Sequence, residues 1–111
     1  LSPIAEFETA YRRILDQTVK RTSARLVLCE PFVLSFPPDR LAWREDLDPR
    51  IHVVRKLAAE YSALLVPLDG LFAAACVKAE PAVWAADGVH PTLTGHGLIA
   101  NAWLETVSRW G

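Results

Sequence analysis

Asp87 stands three residues before His90 in the stretch "WAADGVHPTLTGHGLIANAW", residues 84–103. A histidine that works as a general base must be held in one tautomer, and the imidazolium it forms must be stabilised. A carboxylate on its far ring nitrogen does both. Most triads bring acid and histidine together from distant positions, whereas a spacing of three in a tight loop supplies both from one turn. Gly88 between them permits backbone angles closed to other residues. Pro91 fixes its own φ and restricts His90. The spacing alone is weak, because Asp-x-x-His arises often by chance, and a capping acid beside an exposed histidine is the simpler expectation. Without a nucleophile the pair offers only general-base help to water, typically ~10²–10⁴-fold.

The elements that must position the pair read as alternating helices and strands. Apolar Ile4, Phe7, Tyr11, Ile14, Leu15 and Val19 recur at helical spacing over residues 3–21. Ser2 then Pro3 make a cap and first position, and Lys20 and Arg21 close the helix favourably against its dipole. Residues 26–29 are consecutively apolar, the pattern of a strand covered on both faces, and Glu30-Pro31 ends it. Residues 35–48 are expected to form a long loop. Asp48-Pro49 is expected to start the next helix, with Ile51, Val54, Leu57, Ala58 and Tyr61 as its buried face. "ALLVPL", residues 63–68, is a second buried strand, and Asp69-Gly70 a turn or cap before a short helix over 71–79. Residues 81–93 are expected to be a loop. Thr94 then caps a last helix to about 109, buried through Leu98, Ile99, Ala102, Trp103, Thr106 and Val107.

This order argues for a layered α/β fold with parallel strands, and for one unit over residues 1–111. Two strands apolar on both faces do not complete a sheet, since their edges would be unpaired. The chain therefore reads as part of a larger sheet. Further strands would come from upstream sequence or from a partner. The lack of any Met and the start at Leu1 agree with missing upstream residues.

Bulk properties narrow the partners. The 111 residues are 51% hydrophobic and 23% charged, a globular composition. The net charge of -1 draws the chain neither to nucleic acid nor to an anionic membrane. No apolar run approaches the ~18 residues of a membrane span. "LSPIAEFETAYRR" lacks a basic region followed by an apolar block, so no targeting segment is read, which leans toward the cytoplasm. The two cysteines, Cys29 and Cys76, are expected to be buried and reduced.

With these elements in place, "DGVHPTLTGHGLIANAW" resembles the last conserved block of the SGNH, or GDSL-type, serine esterases and lipases: Asp-x-x-His-Pro, a small-residue turn and a helix. Trp84 and the segments "LVLCEPFVL" and "VPLDGLF" are similar to the corresponding parts of bacterial members. The resemblance runs across essentially the whole chain, with its sharp motif at residues 84–97. It implies a three-layer α/β/α, flavodoxin-like fold with a central parallel sheet. It also implies ester hydrolysis through an acyl-enzyme, on a short-chain or sugar acyl ester, with no cofactor. Under it, His90 is the general base and Asp87 orients it.

The departures are as informative. The family's nucleophile lies in a Gly-Asp-Ser motif, and its oxyanion hole draws on a Gly-x-Asn-Asp motif. Neither is present. Ser2, Ser23, Ser35, Ser62 and Ser108 are the serines, none after Gly-Asp, and the single Asn is Asn101. The chain thus reads as the C-terminal portion of such an enzyme, inactive by itself. Its serine and oxyanion donors would come from a missing N-terminal segment or a companion chain. The alternative is a non-catalytic interaction or assembly module that keeps the fold without the nucleophile.

Other residues are weighed against plain structural roles. Trp84, Phe32 and Trp43 are candidates to line the substrate pocket, although aromatics more often pack. His52, His90 and His96 match no common zinc spacing, so no metal is expected. Glu30 is expected to cap rather than catalyse, Asp69 to cap a helix, and Arg50, Arg55 and Lys56 to form a solvated helix face.

Overall fold

In a computed structural model, which describes residues 2–110, the chain is α/β, with helices on both faces of a small parallel sheet. Helix α1 spans Pro3–Arg21, with the Ser2 hydroxyl accepting from the Ala5 amide as its cap. Strand β1 is Val27–Cys29. A 3₁₀ segment, Pro38–Trp43, leads straight into helix α2, Arg44–Glu60. Strand β2 is Leu64–Val66, followed by α3 (Leu68–Lys78), the short α4 (Pro81–Trp84) and α5 (Leu93–Val107).

The strands pair in parallel register, Val27 with Leu64, Leu28 with Leu65 and Cys29 with Val66. Parallel pairing needs a crossover, and α2 supplies it. On one face Leu28 packs with Leu15 of α1 and Val53, Val54, Leu57 and Ala58 of α2. On the other, Val66 packs with Leu68 and Phe72 of α3, Ala85, and Ala102 of α5. Each fully buried Leu or Phe in these clusters contributes about 1.5–3 kcal/mol.

Several expectations are corrected. Of the loop expected over 35–48, residues 35–37 lie outside regular structure, whereas Pro38–Trp43 is 3₁₀ and α2 begins at Arg44, with Pro49 inside it. Pro49 forfeits one helical hydrogen bond. The ion pairs Arg44–Asp48 and Asp46–Arg50, at 2.7 and 3.1 Å, hold the turn around it. Asp69 and Gly70 lie inside α3 rather than before it. Residues 81–84 are helical, because Pro81 suits a first helical position. Thr92, not Thr94, caps α5. Trp103 of α5 and Ile14 and Val19 of α1 are exposed, and so is Cys29, on a strand paired along one edge among the described residues.

Candidate active site

The turn between α4 and α5 is built by its own backbone and by Thr92. The Thr92 hydroxyl accepts from the Gly95 amide at 3.1 Å and reaches the Val83 carbonyl at 2.7 Å. The Thr92 amide donates to the Trp84 carbonyl at 2.9 Å, and Ala85 forms an antiparallel bridge with Pro91. The two ends of the turn are thereby pinned together. Gly95 must be glycine, since a Cβ there would overlap the Trp84 carbonyl oxygen.

Inside this frame Asp87 folds over its own backbone. Its Oδ1 accepts from the Val89 amide at 3.0 Å and the His90 amide at 2.8 Å. Its Oδ2 meets His90 Nδ1 at 2.5 Å. An aspartate commonly bonds the amide two residues on, and here the bond is extended to the ring. The His90 ring, followed by the His90 and Val89 amides, holds the Asp87 carboxyl well below the usual carboxylate range. The acid is therefore ionised and can only accept, so Nδ1 carries the proton. The lone pair of neutral His90 then lies on Nε2. The His90 side chain is 85% exposed, so that nitrogen is open to solvent. Gly88 between them adopts φ +89°, and a Cβ there would sit 2.5 Å from the Phe36 carbonyl oxygen.

Of the three aromatic candidates, the structure groups two. Phe32 and Trp43 line a cleft of about 370 Å³ with Asp46 and Val89, the neighbour of His90. Phe32 also packs on Phe72, ring centroids 4.4 Å apart. Trp84 lies elsewhere. Its indole donates to the Ala79 carbonyl at 3.2 Å and borders a separate groove between α3 and α5. His52 lies on α2 and His96 in the first turn of α5. No group of three metal-ligating side chains gathers among the described residues.

Glu30, Asp69, Arg44 and Arg55 form a second polar cluster, where two readings change. Glu30 is buried, bonds Arg55 Nε at 2.6 Å and accepts from the Asp69 amide at 3.2 Å, so it does cap the start of α3. The Asp69 side chain is no cap. It takes a two-pronged bond from Arg44 at 2.8 and 2.7 Å, because Arg44 now lies at the start of α2 facing it. Arg55 leaves the solvated face to meet Glu30. Lys56 bonds Glu8 of α1, and Arg50 lies 4.9 Å over the Phe7 ring.

Sequence reasoning missed Arg40 and Leu34. The Arg40 Nε donates to the Asp87 carbonyl at 2.8 Å, and the Leu34 amide to the Gly88 carbonyl at 2.9 Å. No spacing rule links positions some fifty residues apart.

No protein-family model matches the chain. Comparison with known proteins does find relatives. The chain is 28% identical over 102 residues to an acetylxylan esterase from Geobacillus stearothermophilus, covering 92% of this chain and 46% of that protein. A GDSL-like lipase from Parabacteroides merdae superposes with a TM-score of 0.87 at 33% identity, over 95% of this chain and 50% of the lipase. In sequence and fold the chain is similar to SGNH/GDSL esterases. A solved acetylxylan esterase from Geobacillus stearothermophilus gives a TM-score of 0.78 at 27% identity, over 94% of this chain and 47% of the esterase. The chain thus spans about half the length of the SGNH/GDSL relatives it matches. Two further matching structures are catalytic mutants of that esterase, one with a serine and one with a histidine replaced by alanine.

Proposed function

We propose that this chain is the histidine–aspartate half of an SGNH-type ester hydrolase. The observation that carries the reading is the 2.5 Å contact of His90 Nδ1 with a carboxylate already tied by two amides, which leaves Nε2 free. In the complete protein His90 Nε2 takes the proton of the attacking serine hydroxyl as it adds to the ester carbonyl. His90 then returns that proton to the leaving alcohol, and an acyl-enzyme forms. A water repeats the sequence and releases the acid. Asp87 remains ionised throughout and stabilises the imidazolium.

The serine and the oxyanion donors come from sequence outside these 111 residues, or from a companion chain. The two-stranded sheet supports this, since each strand keeps one edge unpaired among the described residues, where further strands can add. Phe32 and Trp43 meet the substrate in their cleft, and the Trp84 carbonyl ties the turn through Thr92. The substrate is a short-chain or sugar acyl ester, as the acetylxylan esterase relatives suggest.

Loss of a triad nucleophile costs on the order of a millionfold in rate. The chain alone is therefore inactive. A fluorophosphonate serine probe tests this directly. It should leave the isolated chain unlabelled, and label a complex made by adding the Gly-Asp-Ser-bearing half. Labelling of the isolated chain overturns the division of the triad. A folded complex that neither labels nor cleaves p-nitrophenyl acetate overturns the hydrolase reading in favour of an assembly module.

A further inference from the structure

We infer that Arg40 is the positioning residue of the Asp87–His90 pair, acting through the Asp87 carbonyl; its catalytic consequence rests on the ester-hydrolase reading. Thr92 and the Ala85–Pro91 bridge pin the ends of the turn, while its Asp87 and His90 side chains reach solvent. From segments distant in sequence, two hydrogen bonds reach residues 86–90 among the described residues: Arg40 Nε to the Asp87 carbonyl at 2.8 Å, and the Leu34 amide to the Gly88 carbonyl at 2.9 Å. The direction of the Asp87 carbonyl fixes ψ of Asp87. That angle decides whether the Val89 and His90 amides reach the carboxylate, and so where Oδ2 meets the ring. A charged donor on that carbonyl therefore sets the alignment of the whole pair.

Arg40 is itself held in place. Its guanidinium lies 4.1 Å over the Trp43 ring and bonds Asp39 at 3.1 Å, and its side chain is only 18% exposed. Its Cγ and the Phe36 carbonyl crowd Gly88, leaving no room for a Cβ. Trp43 thus has a second task beside lining the cleft. It clamps the residue that aims the base.

The test uses Arg40→Met, which keeps the stem and removes the donors, and Arg40→Lys. Proton NMR on the chain follows the downfield His90 Nδ1–H signal and the exchange of the Val89 and His90 amides. In Arg40→Met these protons should exchange about tenfold faster, the scale of one hydrogen bond from a charged donor. Amides of β1 and β2 should stay as protected as before, and Arg40→Lys should recover part of the loss. Unchanged exchange at all three protons in a folded Arg40→Met chain overturns the inference. If that variant does not fold, Trp43→Leu carries the test. It releases the guanidinium with its donors intact and should speed exchange about threefold, and no change overturns the inference.

The activity arm uses the protein complete with its nucleophile. There Arg40→Met should lower kcat about 10–100-fold with KM nearly constant, as expected for a misplaced catalytic group. An unchanged kcat in an active enzyme overturns Arg40's role. If the unsubstituted protein is inactive while the NMR effect appears, the hydrolase reading fails and the role of Arg40 in the turn stands.

Discussion

Asp87 and Glu30 are both carboxylates bonded to a basic side chain, at 2.5 Å from His90 Nδ1 and 2.6 Å from Arg55 Nε. Their settings differ in every other respect. Asp87 and His90 are three residues apart, and both side chains reach solvent. Glu30 and Arg55 are 25 residues apart, and the Glu30 side chain has no exposure. Glu30 spends both oxygens on the protein, one on Arg55 and one on the Asp69 amide that opens α3. Asp87 spends both on its own turn and leaves His90 Nε2 unbound among the described residues. The first arrangement joins β1, α2 and α3. The second holds a base ready while contributing little to the fold. A carboxylate's chemistry here follows from what its partner has left over, not from the strength of the pairing.

The largest effect that separates the two is on rate. In the protein complete with its nucleophile, His90→Ala should lower kcat by on the order of a millionfold. The same change in this chain should move its unfolding free energy by no more than about 0.5 kcal/mol, as for an exposed position. Esterase assay and urea melts measure the two halves. A loss of stability above 2 kcal/mol would mean that the turn supports the core after all.

Glu30→Ala should show the converse. It leaves the half-buried Asp69 amide at the start of α3 without its partner, and it leaves a void. Arg55 is half exposed and can return to water, which limits the cost. A loss of about 2–4 kcal/mol is expected from urea unfolding. The His90 Nδ1–H signal should survive in whatever fraction stays folded. A cost under 1 kcal/mol would place Glu30 among the ordinary surface pairs.

Sequence separation decides which of these contacts is legible in the sequence. The pair at 87 and 90 was legible because three residues close it, and Gly88 and Pro91 mark the turn. The start of α1 was legible for the same reason, in Ser2 and Pro3. The Glu30–Arg55 and Arg44–Asp69 bonds were not, because they depend on how β1, α2 and α3 stack. Pro49 misled for a related reason: a proline after an aspartate reads as a helix start, and only the ion pairs on either side reveal that the helix began earlier. The expected cap Thr94 gives way to Thr92 because the carbonyls that orient Thr92 belong to α4, a stretch whose sequence reads as a loop.

A smaller effect lies in pH. His90 and two amides lower the Asp87 pKa in the folded state, so folding is favoured by the ionised acid. That contribution is whole above the unfolded-state value of about 3.9, and it is lost as pH falls through the lower folded value. Asp87→Asn removes it. The melting-temperature gap between the unsubstituted chain and Asp87→Asn should therefore shrink as pH falls below about 4. Glu8 and Glu60 are also lowered, by Lys56 and Arg12 for the first and by Arg12 for the second. Both are present in each protein, so same-pH differences cancel them. A gap that stays unchanged far below pH 4 would mean that the Asp87–His90 contact does not form in solution.

The smallest effect belongs to a position outside both pairs. Ser62 follows α2 with φ 53°, and the Ala63 amide bonds back to the Ala58 carbonyl at 2.9 Å, the usual way to end a helix. A left-handed angle costs a side-chain-bearing residue roughly 1–2 kcal/mol, and glycine escapes it. Glycine also gives the unfolded chain more freedom, a loss of about 0.4–1 kcal/mol. The two nearly offset, so Ser62→Gly should stabilise by about 0.5 kcal/mol, a rise of roughly 2–3 °C in Tm. It should leave both the His90 ring signal and the Glu30 cluster untouched. A fall in Tm would mean that the Ser62 side chain holds the α2–β2 turn through a contact of its own, and the effects of Glu30→Ala would then need to be separated from those of this neighbouring connection.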